Sequence, residues 1–385
     1  MKMATATISG TGDQDGQLPS EAVHRIFSRL PIKSLMRFRS VCKLWRELID
    51  DPHLSTMHTR KDTVLLHHHA GTISAFTPRT SDDASMNLRA MFKSPEIKRC
   101  KVKAVGDGLL CLRHEGFKPQ KDIWYIANPI TKQVLKLPKP PTECECPYGC
   151  AYGIGLDRSS ATPKVVRVFF PSYESCFSYT LGAEVYDLRE RCWRRPRTSK
   201  VSIFPPRVGK GAILSEERAI CAKGGIHWFK ETDLAGQGFD PKIVSFDLGK
   251  EEFSLLRPPK FKNPGSETGL FEVRGSLAIA NHSLARRVEV WVLESSSSSK
   301  WTKRYKIEFA AFPDNVKVCV TPRRVRCVGE IDGEMVLVNF WGMHCFAFYN
   351  PKQRRSSRGF DFEHVPHVSL SHIFAFTPTL ISLHL

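Results

Sequence analysis

The sequence has 385 residues, 41% hydrophobic and 25% charged, with a formal net charge of +18. That length exceeds one ordinary core unless the fold is a large barrel or propeller, so a small domain plus a large one is expected. The apolar content excludes a disordered chain, no apolar run reaches the roughly 18 residues of a membrane-crossing helix, and the charge predicts an acidic partner.

Residues 1–17, MKMATATISGTGDQDGQ, are small and polar without periodicity and read as a flexible tail. They lack the apolar middle of a secretory signal. The twelve cysteines are therefore expected as reduced thiols, as in the cytoplasm or nucleus. The sequon Asn281-His282-Ser283 is expected to stay unglycosylated.

The next stretch, LPSEAVHRIFSRLP (18–31), places Val23, Ile26, Phe27 and Leu30 at the spacing of one apolar helix face, with a proline near each end. A second stretch, IKSLMRFRSVCKLWRELIDDPHL, repeats the signal through Leu35, Phe38, Val41, Cys42, Trp45, Leu48 and Ile49. A head of roughly 40 residues cannot build an adequate core alone. Its helices carry apolar residues on more than one face, which leaves one face for a partner.

From about residue 62 the period becomes alternating. Val64-Leu65-Leu66 and Ile73-Ser74-Ala75-Phe76 flank a turn expected to hold His67-His68-His69 and Gly71. Residues 80–85 read as a loop, and 98–103 as a strand with a charged face. A theme of glycine turn, apolar strand and aromatic hairpin then recurs: GDGLLCL with IWYIANPITKQVLKLP, AEVYDLRERCWRRP, GGIHWF with KIVSFDLGKEEFSLLRPP, GSLAIAN with VEVWVLE and KWTKRYKIE, and DGEMVLVNF with HCFAFYNPKQRRSSRGF. Asn128, Asp187, Asp247 and Asn350 mark the same turn in four copies, where an Asx side chain bonds the turn backbone. The copies have the size of four-stranded propeller blades. Five are visible, and 62–104 supplies a worn sixth. The serine run 295–299 reads as a hairpin tip, and the C-terminal HIFAFTPTLISLHL, interrupted by Pro378, as strand.

Chemistry-bearing motifs are sparse. Cys144, Cys146 and Cys150 lack the second cysteine pair that a zinc site wants, so blade-edge thiols are expected. The three histidines are expected to serve the turn rather than a metal. No nucleophile elbow, HExxH, phosphate loop or dinucleotide fingerprint occurs, so neither an enzyme nor a cofactor is expected. Trp124, Trp193, Trp228, Trp291, Trp301 and Trp341 are expected mainly between blades. Basic residues are scattered, and no nucleic-acid motif accompanies them, which argues against nucleic acid.

Residues 18–60 resemble the F-box: the Leu18-Pro19 opening, the face ending at Leu30-Pro31, the Ser34-Leu35 step and the run FRSVCKLWRELI (38–49) agree in order and spacing. The repeats, with GLLCL…NPITKQVLKLP and FYNPKQ, resemble the kelch-like F-box-associated domain of the large plant F-box family. The resemblance implies an α+β multidomain chain: a tail (1–17), a three-helix F-box (18–60) and a mainly-β propeller of about six blades (62–385). It implies docking of the head on a Skp-type adaptor, and through it a cullin and a RING protein. Carried over by position, Leu18, Pro19, Ile26, Leu30, Pro31, Leu35, Val41, Cys42 and Trp45 form the adaptor contact face and its support, with Leu35 and Trp45 as anchors. Phe27, Phe38 and Leu48 are expected as internal packing, and Lys33, Arg37, Lys43 and Arg46 as steering charges. The expected function is a non-catalytic substrate receptor of a ubiquitin ligase whose propeller binds a protein substrate. The alternatives are a non-ligase scaffold on the adaptor, a basic propeller for nucleic acid or another acidic ligand, and a propeller enzyme or metal protein.

Overall fold

A computed structural model describes residues 19–51, 53–54, 58, 63–78, 86–114, 123–142, 150–169, 180–196, 200–202, 219–230, 242–261, 268–282, 284, 286–296, 299–312, 325–339, 345–361 and 373–383. The chain divides into two compact units, Met1–Arg60 and Lys61–Leu385.

The first unit holds three helices: α1 (Ser20–Phe27), α2 (Ile32–Phe38) and α3 (Lys43–Asp50). Pro19 and Pro31 immediately precede α1 and α2, where an absent N–H leaves no helical bond unmade. Cys42 caps α3: its Sγ accepts the Trp45 N–H at 3.4 Å, the role Ser or Thr usually takes. Arg39 forks onto Asp50 at 2.6 and 2.8 Å and ties the end of α2 to the end of α3. Phe27, Leu35, Ile49 and Leu54 are buried. Trp45 meets Phe27 edge-on at 5.4 Å and Phe38 at 5.2 Å between ring centres.

The second unit contains six antiparallel four-stranded arrays among the described residues. The first is β1 (Val64–His69), β2 (Thr72–Pro78) and β3 (Met86–Lys93). The second is β4 (Cys100–Gly106), β5 (Leu109–His114), β6 (Trp124–Asn128) and β7 (Gln133–Lys136). The third is β8 (Cys150–Asp157), β9 (Thr162–Phe169), β10 (Thr180–Asp187) and β11 (Cys192–Arg194), with β12 (Lys200–Ser202) also pairing β10. The fourth is β13 (Ala219–Ala222), β14 (Gly225–Lys230), β15 (Lys242–Asp247) and β16 (Glu252–Leu256). The fifth is β17 (Thr268–Val273), β18 (Ser276–Asn281), β19 (Arg287–Ser295) and β20 (Lys300–Glu308). The sixth is β21 (Val325–Ile331), β22 (Glu334–Asn339), β23 (Cys345–Asn350) and β24 (Arg355–Asp361). A final strand, β25 (Ile373–Phe376), returns to pair with β1 and completes the first array.

Each array is one blade of a propeller-like domain. Its first strand lies against the first strand of the next blade, from β4 to β8, β13, β17, β21 and β25. Parallel pairing of Ala104 with Ala219 and Val105 with Ile220 joins blades two and four across β8. Gly106 makes that approach possible: a Cβ there would lie 1.9 Å from the Ile154 carbonyl oxygen. The apolar core sits between blades. Trp124, Tyr152, Val166, Val185, Ile226 and Phe246 belong to one cluster spanning blades two to four.

Two turn types make the blades repeat. Asp107-Gly108, Lys223-Gly224, Arg274-Gly275 and Asp332-Gly333 all have positive φ, as does Ala70-Gly71 in blade one. These are two-residue hairpin turns of the kind that matches strand twist. The four Asx positions behave as expected: Oδ1 of Asn128, Asp187, Asp247 and Asn350 accepts the N–H groups two and three residues on. Asp157 adds a fifth such turn, between β8 and β9.

The structure also corrects details. His67, His68 and His69 stand in β1, with His67 and His68 buried, and the turn itself is Ala70-Gly71. Of the C-terminal stretch, the described residues 373–383 form one strand followed by a segment fastened to blade two. Asn128 Nδ2 donates to the carbonyls of Thr379 and Ile381 at 3.2 and 2.8 Å, and Gln133 Oε1 accepts the Leu383 N–H at 2.9 Å. Asn281 of the sequon is buried. Cys42, Cys100, Cys111, Cys150, Cys192, Cys221 and Cys327 are free thiols. Residues 80–85 lie outside the described residues.

Candidate functional site

Helix α1 carries Ile26 and Phe27 side by side, about 100° apart around the axis. Phe27 turns inward, and Ile26 is left 47% exposed. Val41, between α2 and α3, is 61% exposed, and Leu44 in the first turn of α3 is 46% exposed. The head thus turns three large apolar side chains toward water. Pro19 is exposed, while Leu30 and Pro31 are half-buried. Cys42 is exposed and committed to its cap. Leu18 lies outside the described residues.

Leu35 and Trp45 lie further inside the head. Leu35 is 0% exposed in the core of the head. In the free head its side chain is thus withdrawn from solvent. Trp45 is half-buried against Phe27 and Phe38. Leu44 was not singled out by the sequence: it stands four residues before Leu48, so helical spacing alone does not mark it as facing outward. Lys33, Arg37, Lys43 and Arg46 are all exposed.

In the propeller, charge gathers where the turns of blades three and four meet. The Lys164 ammonium is buried. It donates to Asp157 Oδ2 at 2.8 Å, Glu251 Oε1 at 2.8 Å and the Leu248 carbonyl at 3.0 Å. Arg194 forks onto both oxygens of Glu251 at 2.5 Å. Burial alone would raise the pKa of Asp157, but bonds from Lys164, Ser159 and Ser160 outweigh it and bring it down to about 2. Burial likewise opposes ionisation of Glu251, and the bonds from Arg194 and Lys164 lower its pKa. Burial disfavours the Lys164 cation, but its two carboxylates raise it. A second buried pair, Arg167–Glu184 at 2.7 Å, lies within blade three.

These clusters are structural. Among the described residues no group of three His, Cys, Asp or Glu side chains could hold a metal ion. Cys144 and Cys146 lie outside them, so only Cys150 is seen, with Sγ 3.2 Å from Arg167 Nη2. Trp124 and Trp228 are buried between blades. Trp193, Trp291 and Trp301 are half-buried, and Trp341 lies outside the described residues. Buried His227 and His282 have pKa values lowered by desolvation to about 4. No helix among the described residues is long and apolar enough to cross a membrane.

Two family descriptions match the chain. Residues 16–56 match the F-box domain, and residues 58–379 match the F-box associated beta propeller domain. F-box protein DOR of Arabidopsis thaliana is 28% identical over 324 residues, spanning 79% of this chain and 77% of its own length. A putative F-box/kelch-repeat protein of the same plant is 24% identical over 324 residues, with 75% and 71% covered. A further Arabidopsis thaliana F-box protein is 28% identical over 324 residues, covering 75% and 72%.

Proposed function

Because this chain belongs to the family of F-box proteins with an F-box associated β-propeller, we propose that it is the substrate-receptor subunit of a Skp–cullin–F-box ubiquitin ligase. The head, residues 18–60, docks on a Skp-type adaptor, which carries a cullin and a RING protein. The propeller, residues 62–385, holds the protein to be ubiquitinated. The setting is the cytoplasm, the nucleus or both. The chain breaks and makes no bond itself: it raises the local concentration of a substrate lysine near the charged ubiquitin carrier.

The observation that carries this reading is the exposure of Ile26, Val41 and Leu44 on the head. A partner that buries such groups gains free energy that folding of the head alone leaves unused. Exposed Lys33, Arg37 and Lys43 suit an acidic adaptor.

The test is co-purification of the full chain with a Skp-type adaptor and a cullin, beside Ile26→Asp/Val41→Asp. Both substitutions are at exposed positions, so the fold should persist while adaptor binding falls by about 2 kcal/mol or more. A folded wild-type chain that captures no adaptor overturns the reading. Capture of adaptor without cullin favours the scaffold alternative.

A further inference from the structure

Three tight turns come together at the boundary of blades three and four: Arg158–Ala161, Leu188–Arg191 and Leu248–Glu251. Arg189 Nη2 donates to the Ser160 carbonyl at 3.2 Å. Lys164 bonds the Leu248 carbonyl from below. Gly249 lies so close that a Cβ there would be 3.6 Å from Asp157 Oδ1 and 3.7 Å from Ser159 Oγ. The outward residues of these turns include Arg158, Arg189, Arg191 and Lys250, all exposed.

The acidic groups beneath them are already engaged. Asp157 accepts from Ser159 N–H, the Ser159 and Ser160 hydroxyls, and Lys164. Glu251 is held by Lys164 and Arg194. Arg158 reaches a carboxylate, Asp107, only at 3.4 Å with its side chain 50% exposed, and Arg189 is tied to a neutral carbonyl. The patch thus shows four cations to solvent, with Glu190 and Asp247 among them, and keeps Asp157 and Glu251 inside.

We propose that this triple-turn patch is a docking surface for an acidic segment of a protein partner, read as Asp and Glu carboxylates on the arginine forks. The biological setting of this surface rests on the receptor reading above. Three of the four cations are arginines, whose planar fork matches a carboxylate with two parallel bonds. The turns are held by Asx bonds and left-handed residues, Ala161, Arg191 and Glu251, so little order has to be gained on binding. A polynucleotide fits less well. Glu190 and Asp247 interrupt the cations, and the three turns offer no aromatic ring on which bases could stack.

The experiment measures fluorescence anisotropy of a labelled oligoglutamate peptide with the full-length chain, against a single-stranded oligonucleotide of matched charge. Arg189→Glu/Lys250→Glu should weaken peptide binding by roughly tenfold or more. The same charge change at exposed Lys98→Glu/Arg99→Glu should leave it within about twofold, since both lie outside the patch. The milder Arg189→Gln/Lys250→Gln should show the loss in reduced size, and circular dichroism checks each fold. Equal weakening by both reversal pairs, absence of peptide binding by wild type, or tighter binding of the oligonucleotide through the same residues overturns the proposal. Adaptor capture is read separately. A chain that captures adaptor but not peptide overturns this surface alone, and one that binds peptide but no adaptor overturns the receptor reading alone.

Discussion

The helical head leaves Ile26, Val41 and Leu44 between 46% and 61% exposed, whereas the much longer propeller, among its described residues, shows only Leu255 at 38%. The head also relies on local ties such as the Arg39–Asp50 fork and the Cys42 cap. The blades instead bury apolar faces against neighbouring blades and close on themselves through β25. The contrast separates two uses of hydrophobic surface. Inter-blade surface is consumed in folding, while part of the head's apolar surface stays in water.

The strongest way to break the contrast is to open the ring. Removal of residues 373–383 strips β1 of its partner and blade two of its fastening, and should abolish the cooperative unfolding transition of the propeller in a denaturant titration. Lys164→Met comes next. It leaves Asp157 and Glu251 without their shared buried cation and should cost about 3–5 kcal/mol at neutral pH. The folded-state pKa values of both carboxylates are lowered, so their contribution is present above about pH 4 and is lost as pH falls toward 2. Wild-type and Lys164→Met stabilities should therefore converge over that interval, and a constant gap would refute the assignment.

Leu35→Ala should cost the head about 2–5 kcal/mol, because it empties a fully buried site. Ile26→Asp/Val41→Asp should change head stability by no more than about 0.5 kcal/mol while weakening adaptor capture. An interchange of these two outcomes would erase the distinction between support and contact.

A pH-dependent effect concerns His227 and His282. Buried and neutral, each titrates near 4 in the fold and near 6.5 when unfolded. Between those values the unfolded chain binds protons that the folded chain does not, so stability falls as pH drops, by about 1.4 kcal/mol per pH unit for each histidine. His282 Nδ1 has no hydrogen-bond partner among the described residues. His282→Leu should consequently flatten roughly half of that slope in chemical denaturation at pH 5 and pH 7.

Much of the architecture was legible because it is written in local chemistry. Asn128, Asp187, Asp247 and Asn350 must bond their own turn backbone wherever they stand, and glycine at 108, 224, 275 and 333 is the residue a two-residue hairpin turn favours. The first strand of each blade was harder to see. AICA or CAYGIGLD is half the length of a hairpin or rich in glycine, and gains its meaning only from neighbours far away in sequence. Asp157 escaped notice for a related reason: its turn replaces the glycine pair that marks the other blades. In the head, the periodicity of α1 and α2 located the helices but could not say which way Leu35 points, since helical spacing is identical for a core face and a docking face. Exposure, which depends on what packs opposite, separated Leu35 from Ile26.

The strand that completes blade one lies some 300 residues after the strand it pairs with. During synthesis, β1 to β3 emerge early and must wait with an open edge until β25 leaves the ribosome. A message truncated before codon 373 would therefore yield a chain that displays its own incompleteness as an unpaired strand, available to chaperones and proteases. The join between first and last blade is thus the contact that reports whether the whole domain has been made.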